Sequence, residues 1–453
     1  MNILHYTLGL PPYRSGGLTK YATDLMIGQS ANGDVVSLLY TGDYTFWKKP
    51  KTYIVKNKIY DGVAVYEIKN PLIVPLLHGV RSPIDIYEPK QHLSKKALEL
   101  FYNEVQPEIM HIHTLMGLPI DLVVYLKEKG VKIVFTSHDY YGLCLKVNFI
   151  NQDGLFCKTP IGIQCAICNN DAPGSFFLRL RNSKYLLKYK DKFAARTFKT
   201  TASEVKLKKQ FTLTQERSNE YSILLSYYHK LFDFVDFFHF NSTITKSVYE
   251  NYIVFKNSKV ISISHSGIKD FRKIKTFDKK HIHLAFIGST TSYKGFPILK
   301  DALCDLNKNG FQKWSLDVWG SSIGVDGDCD KIIYRGKYSS VSHSAVYDDI
   351  DLLVVPSLWK ETFSFITLEA LSHGVPVLAS SNVGAKDIVK QYNPDFIFSP
   401  TKEDLYSMLQ SIMSNIKLIV DYNELICIKD FDHSFDNHIL KMKQLYLNLF
   451  LIK

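Results

Sequence analysis

The chain has 453 residues, 46% hydrophobic and 22% charged, which is too long for one ordinary core and too apolar for a disordered protein. Its net charge of +11 favours acidic partners: diphosphates, anionic lipid or nucleic acid. No apolar run approaches the ~20 residues that cross a bilayer, and Met1–Tyr6 lacks the basic and long apolar regions of a signal peptide.

Short apolar runs alternate with helix-like patterns, the mark of parallel sheets joined by crossover helices. In the first half, strands are predicted at Ile3–Leu8, Val35–Tyr40, Val63–Ile68, Ile109–His113, Ile133–Ser137 and Phe237–Asn241. Helices are predicted there at Leu18–Gln29 and Leu93–Asn103. In the second half, strands are predicted at Val260–Ser264, Ile282–Gly288, Ser315–Trp319, Lys331–Tyr334, Leu352–Val355, Val377–Ala379 and Asp395–Phe398. The helices there fall near Phe296–Asn307, Phe365–Ser372 and Lys402–Ser414, and the polar stretch Lys269–Lys280 marks a seam. The expected organisation is an N-terminal Rossmann-like domain over 1–268, with a Cys-rich insertion at 144–175 and a basic helical segment at 176–235. A C-terminal Rossmann-like domain follows over 280–430, and a last helix within 434–453, apolar on one side, is expected to pack back on the first domain.

The densest chemical signal is Pro356-Ser357-Leu358-Trp359-Lys360-Glu361-Thr362-Phe363-Ser364-Phe365, continuing through Glu369-Ala370 to Gly374-Val375-Pro376-Val377. It reads as a strand end, a loop carrying Glu361, a helix carrying Glu369, a tight turn and a further buried strand. A carboxylate one turn into a helix, as Glu369 is, can accept two hydrogen bonds from a ribose diol. Glu361 on the loop can reach sugar hydroxyls. The amides of Phe363, Ser364 and Phe365 at the helix start suit negatively charged oxygen.

This stretch resembles the E-x7-E signature of family 4 retaining glycosyltransferases of the GT-B fold. The family most often has glycine where Ser364 stands. The resemblance implies an α/β protein whose two Rossmann-like parallel-sheet domains face each other across a cleft, with the nucleotide-sugar donor held by the C-terminal domain and the acceptor by the N-terminal one. After Ile287 comes Gly288-Ser289-Thr290-Thr291-Ser292-Tyr293-Lys294-Gly295, where the family holds the donor diphosphate, so Gly288, Ser289, Lys294 and Gly295 are donor-binding candidates. The family's arginine position holds Ser289 or Thr290, which leaves Lys294 to neutralise the departing diphosphate. Gly16-Gly17-Leu18 resembles the family's Gly-Gly loop, where the backbone approaches the donor closely. His138 in Thr136-Ser137-His138-Asp139 resembles the family's His-Asp pair, with the histidine on the donor sugar. The resemblance thus implies Glu361, His138 and Lys294 as catalytic residues, with no catalytic cofactor or metal ion. His111 and His113 are expected to be satisfied core histidines.

Cys144, Cys157, Cys165 and Cys168 cluster after the His-Asp pair. Without a secretory signal disulfides are not expected, and the set reads as a candidate structural zinc site or as buried thiols. A subset of the family has a similar run. From Phe176 to Lys209, Arg and Lys far outnumber Asp191 and Glu204, with aromatic and apolar residues between them. That pattern suits an anionic membrane surface or a solvated helical face. It matches no nucleic-acid module, so nucleic acid is not an expected partner.

The expected function is transfer of a sugar from a nucleotide-sugar donor to a saccharide or polyprenyl-diphosphate-linked acceptor, in bacterial O-antigen, capsule or exopolysaccharide synthesis. The expected location is the cytoplasm or the inner face of its membrane. Two rivals share the architecture: a sugar-nucleotide epimerase or hydrolase, and a non-catalytic nucleotide-sugar-binding subunit. The missing arginine and Ser364 motivate the latter.

Overall fold

The computed structural model describes residues 1–45, 51–151, 153–183, 186, 214–278, 280–320, 330–336, 338 and 343–451. The chain divides into two compact units. The first holds Met1–His239, Tyr249–Lys259 and Met442–Lys453; the second holds Phe240–Val248 and Val260–Lys441.

The first unit is built on eight strands: β1 (Asn2–Thr7), β2 (Val35–Thr41), β3 (Tyr53–Lys56), β4 (Ala64–Lys69), β5 (Ile109–Ile112), β6 (Lys132–Ser137), β7 (Phe237–Phe240) and β8 (Ser258–Val260). Their order across the sheet is β3-β4-β2-β1-β5-β6-β7-β8. β1 pairs in parallel with β2 and β5, β2 with β4, and β5 with β6, whereas the edge strand β3 runs antiparallel to β4. Ile3, Leu4 and Tyr6 are fully buried, as a strand covered on both faces requires. The chain leaves β1 first toward β2 and later returns to β5 on its other side, so a switch in winding direction falls between β1 and β5.

The second unit carries β9 (Ile282–Ile287), β10 (Trp314–Trp319), β11 (Ile332–Gly336), β12 (Leu352–Val355), β13 (Val377–Ser380) and β14 (Ile397–Phe398). The order is β11-β10-β9-β12-β13-β14, parallel throughout. Here the winding switches between β9 and β12.

The structure moves the predicted strand Val260–Ser264 to Ser258–Val260. Ile261 and Ile263 are buried, but they lie beyond the strand, so their alternation reflects packing of a connecting segment and not a ladder. The helix Gln215–Asp233, capped by the Thr214 hydroxyl, falls within the expected helical segment 176–235, whereas the helices Ile120–Glu128, Thr243–Glu250, Lys386–Tyr392 and Lys417–Ile428 were not anticipated. The terminal helix, Phe435–Leu451, buries Met442, Leu445, Tyr446 and Leu449. The fold class is α/β, two parallel-dominated sheets of GT-B type.

Candidate functional site

Open parallel sheets gather ligands outside the carboxyl ends of the strands at the winding switch. In the second unit those ends belong to β9 and β12, and two charged side chains meet there. After β9 the chain turns at Gly288 and enters a short 3-10 turn, Ser292–Lys294, that ends at Gly295 with φ +77°. A Cβ at Gly295 would lie 1.8 Å from the carbonyl oxygen of Pro356, so only glycine lets this loop rest against the one after β12. The Leu358 and Trp359 amides donate to the Tyr293 carbonyl at 2.9 and 3.2 Å and tie the loops together. Lys294 Nζ then stands 2.7 Å from Glu361 Oε1. Ser357 Oγ donates to Glu361 Oε2 at 2.6 Å, and the ammonium lies 5.5 Å from the centre of the Trp359 ring. Glu361's backbone is fixed as well: its amide donates to Asn382, and its carbonyl accepts from Gly384. The lysine side chain is 27% exposed and the glutamate 13%, so the pair is oriented by protein while one side of the ammonium still meets solvent.

The helix Phe365–Ser372 begins at the next turn. Ser364 is its cap residue and takes φ +108° while nearly buried, a conformation suited to glycine. Its Oγ accepts from Thr367 Oγ1 at 3.2 Å. Phe363 is buried and packs edge-on against Phe365.

Glu369, one turn into this helix, meets these three donors among the described residues. His265 Nε2 meets Oε1 at 3.1 Å, and the Tyr338 and Tyr347 hydroxyls each donate to Oε2 at 2.9 Å. The Gly267 amide donates to His265 Nδ1, which leaves the ring proton on Nε2, facing the carboxylate. Burial and Glu369 both push the two phenols above the usual tyrosine range, so they stay protonated donors. A ribose diol reaching Glu369 would therefore exchange with one of these hydroxyls; Tyr338 is the less buried.

In the first unit the winding switch gathers imidazoles. His5 on β1, His111 on β5 and His113 just past it are buried, and His138 follows β6, partly exposed. Gln29 donates to the Tyr446 hydroxyl and its carbonyl accepts from His5 Nε2 at 2.8 Å. Donation then runs from His113 Nε2 to His5 Nδ1 at 2.9 Å, and from His138 Nε2 to His113 Nδ1 at 3.1 Å. His111 joins Tyr446 and Thr136, and Thr136 joins His239. Burial pulls His5 down to about 4 and His138 to about 3, and holds His113 well below the usual imidazole range. All three are neutral at pH 7. Burial lifts the neighbouring Asp139 carboxyl to about 6, against the pull of the Tyr141 amide. Gly16 caps the helix Gly17–Ala31 at φ +106°, and a Cβ there would meet nothing within 4 Å, so glycine serves the backbone turn alone.

The four clustered cysteines carry free thiols around one cavity of about 310 Å³. Burial pushes Cys144 up to about 11 and Cys165 further. A tetrahedral zinc site needs its sulfurs converging on one point. Among the described residues, the ligand groups that lie mutually within 4.8 Å are those of His5, His111 and His113, and not the cysteines. The three histidines spend every ring nitrogen on the hydrogen bonds just described and so form a closed polar network. Cys304 is disulfide-bonded, against the expectation of reduced thiols throughout. Of the basic segment, 184–185 and 187–213 lie outside the described residues; Phe176 and Phe177 at its start are exposed. Among the described residues no helix is long and apolar enough to cross a membrane.

The structure thus brings Lys294 and Glu361 together and holds Glu369 in a separate, internally satisfied set. Sequence reasoning missed Ser357 as the orienting hydroxyl, although it stands in the quoted Pro-Ser step. It also missed His265, Tyr338 and Tyr347, which carry no local signal.

Residues 267–424 match the family described as Glycosyl transferases group 1. A Klebsiella pneumoniae protein described as an uncharacterized 41.2 kDa protein in cps region is 24% identical over 136 residues, a match spanning 28% of this chain and 37% of that one. Sucrose-phosphate synthase from Thermosynechococcus elongatus superposes with a TM-score of 0.56 at 13% identity, over 100% of this chain and 99% of that one. Anabaena HepE in complex with UDP and glucose gives 0.56 at 11% identity, over 99% of both chains.

Proposed function

We propose that the protein is a retaining, metal-independent glycosyltransferase that moves a sugar from a nucleotide-sugar donor to a saccharide or polyprenyl-diphosphate-linked acceptor. The observation that carries this reading is the Lys294–Glu361 pair at the carboxyl ends of β9 and β12, inside the segment that matches the glycosyl transferase family. An ammonium held by one carboxylate and part-open to solvent can take a diphosphate as a second partner. As the bond from anomeric carbon to phosphate oxygen breaks, negative charge grows on the diphosphate, and a preoriented cation stabilises that charge more than the ground state. Glu361, aimed by Ser357, accepts from sugar hydroxyls, while Glu369 holds the ribose. The amides of Ser289 and of Phe363 to Phe365, with Gly288 and Gly295 giving close approach, serve the phosphates. Gly16, Gly17 and His138 keep the roles the resemblance implies, contact with donor phosphate and sugar. A neutral His138 suits a sugar hydroxyl better than an anion. Retention and independence of metal rest on the resemblance. The cps-region relative supports a role in surface-polysaccharide synthesis, for which the cytoplasm or its membrane is the expected location, and the HepE complex makes UDP-sugars the first donors to test.

Thermal unfolding with UDP-, GDP- and TDP-glucose tests the reading. A donor at a hundred times its dissociation constant adds about 2.7 kcal/mol. One nucleotide should raise the midpoint, and Glu369→Gln should abolish the rise. No shift with any of the three would sink the proposal. Conversion of donor without acceptor would favour the epimerase or hydrolase, and binding without transfer would favour the binding subunit.

A further inference from the structure

A second cavity, of about 420 Å³, lies wholly within the first unit, between the loop after β1, the end of β2 and the turn before β4. Its wall holds Arg14, which is only 9% exposed. The guanidinium donates from Nε to the Leu8 carbonyl at 3.2 Å and from Nη2 to Asn182 Oδ1 at 3.0 Å. Both acceptors are neutral, and they use two of the five N–H donors that a guanidinium carries. Burial lowers Arg14 to about 10, with Tyr44 opposing, so it remains charged at pH 7. A buried charge is costly unless an opposite charge meets it, and among the described residues no carboxylate bonds to this one. Of the nearby acids, Asp43 on the same wall stands 3.6 Å from Lys69, and Glu67 is 2.6 Å from that same lysine. Other cations reinforce the excess. Arg179 lies 5.6 Å over the Tyr44 ring beside Arg14, and Lys58 is exposed at the cavity's mouth. Tyr13, Tyr40 and Tyr60 line the remainder, flat apolar faces of the kind that pack on sugar rings.

We propose that this cavity binds an anionic saccharide, its carboxylate or phosphate group taken by Arg14 and its ring lying against the tyrosines. A planar guanidinium matches either oxyanion bidentately, and the partly used fork leaves donors for it. Asp43 then accepts from sugar hydroxyls. If the transferase reading above is right, this is where the acceptor is recognised, and the acceptor's class is an acidic or phosphorylated glycan end.

Saturation-transfer NMR on the full chain, with methyl α-glucuronoside, glucose 6-phosphate and methyl α-glucoside as probes, tests the inference. At least one charged sugar should bind about tenfold more tightly than the neutral one, a charge-assisted bidentate pair being the difference. The better of the two charged probes tells carboxylate from phosphate. Arg14→Gln should erase that preference. Should this variant fail to fold, Lys58→Glu, at an exposed position, should weaken the charged sugar several-fold and leave the neutral one unchanged. Equal binding of all three probes, no binding of either charged probe, or a preference left undiminished by either substitution would overturn the proposal. The nucleotide-induced thermal shift is read on the same samples. Its absence from wild-type protein that still prefers charged sugars defeats the transferase reading alone. The converse result defeats only the present inference.

Discussion

Around the winding switch the two units share one order of six strands, β4-β2-β1-β5-β6-β7 and β11-β10-β9-β12-β13-β14, and put opposite electrostatics there. At the ends of β1 and β5 the first unit gathers imidazoles that are mostly buried, neutral and bonded to one another. At the ends of β9 and β12 the second gathers an ammonium and a carboxylate that solvent still reaches. The difference follows from water. Where solvent is shut out, a charge loses more than a neighbour returns, so the groups stay neutral and close their hydrogen bonds internally. Where solvent remains, a full ion pair persists, and one member can accept a charged ligand. Topology thus nominates both places, and exposure decides which of them can handle a diphosphate.

Acid should break this symmetry most. His5, His113 and His138 have depressed pKa values, so the unfolded chain binds more protons than the native one between about 4 and the usual 6.5. Their contribution is complete above pH 6.5 and is lost as pH falls through that window, about 1.4 kcal/mol per pH unit for each. Asp139 runs the other way: its raised pKa makes the native state bind more protons between 3.8 and about 6. It roughly offsets His138, since both are partly exposed. His5 and His113 remain, and urea unfolding should show a loss of about 2 kcal/mol between pH 6.5 and 5 from His5, with His113 adding to it in the same direction. In the second unit, His433, lowered to about 4, loses stability over the same window, while His283, raised by Asp317, acts above pH 6.5 and does not offset it, so a smaller loss is expected there, from one lowered histidine against two. Hydrogen exchange at the two pH values should place the larger loss in β1 and β5. Equal loss in both units would dissolve the contrast.

The next effect belongs to the second unit. Lys294→Met should lower kcat with the identified donor by about 10²–10³, the usual cost of removing one preoriented charge stabiliser. Stability should move by less than about 1 kcal/mol, because the pair is part-exposed. A variant that transfers normally would reduce the pair to a surface ion bridge.

How far these features were legible in the sequence depended on their range along the chain. Glu361 was singled out by its loop ahead of a helix start and Lys294 by the family resemblance, each hanging on a short loop bounded by a buried strand and a helix start. The β9 and β12 runs read as strands because both faces are covered, leaving unbroken apolar stretches. The partners of Glu369 were not legible. His265, Tyr338 and Tyr347 stand 104, 31 and 22 residues away, and only tertiary packing brings them in. The cysteines are the opposite case: neighbours in sequence, they line one cavity together, a grouping that was legible from their spacing. The edge strand β3 escaped notice because its exposed Tyr53 and Lys56 give no buried alternation.

The smallest effect compares two caps. Gly16 and Ser364 precede helices in the two units at nearly the same φ, +106° and +108°, yet only one is glycine. A non-glycine residue in that region carries about 1–3 kcal/mol of strain. Replacing Ser364 by glycine relieves it, at the cost of about 0.5–1 kcal/mol of extra chain entropy and the weak bond from Thr367, itself worth about 1 kcal/mol or less. Ser364→Gly should therefore stabilise by up to about 1 kcal/mol in urea unfolding. Gly16→Ser should destabilise by a similar amount, since no atom lies within 4 Å of its new Cβ and strain is the only charge against it. Opposite signs would show that the two caps obey one backbone rule. A destabilised Ser364→Gly would mean that the serine hydroxyl outweighs the strain of its cap, and that the second unit holds this turn by a side chain where the first uses none.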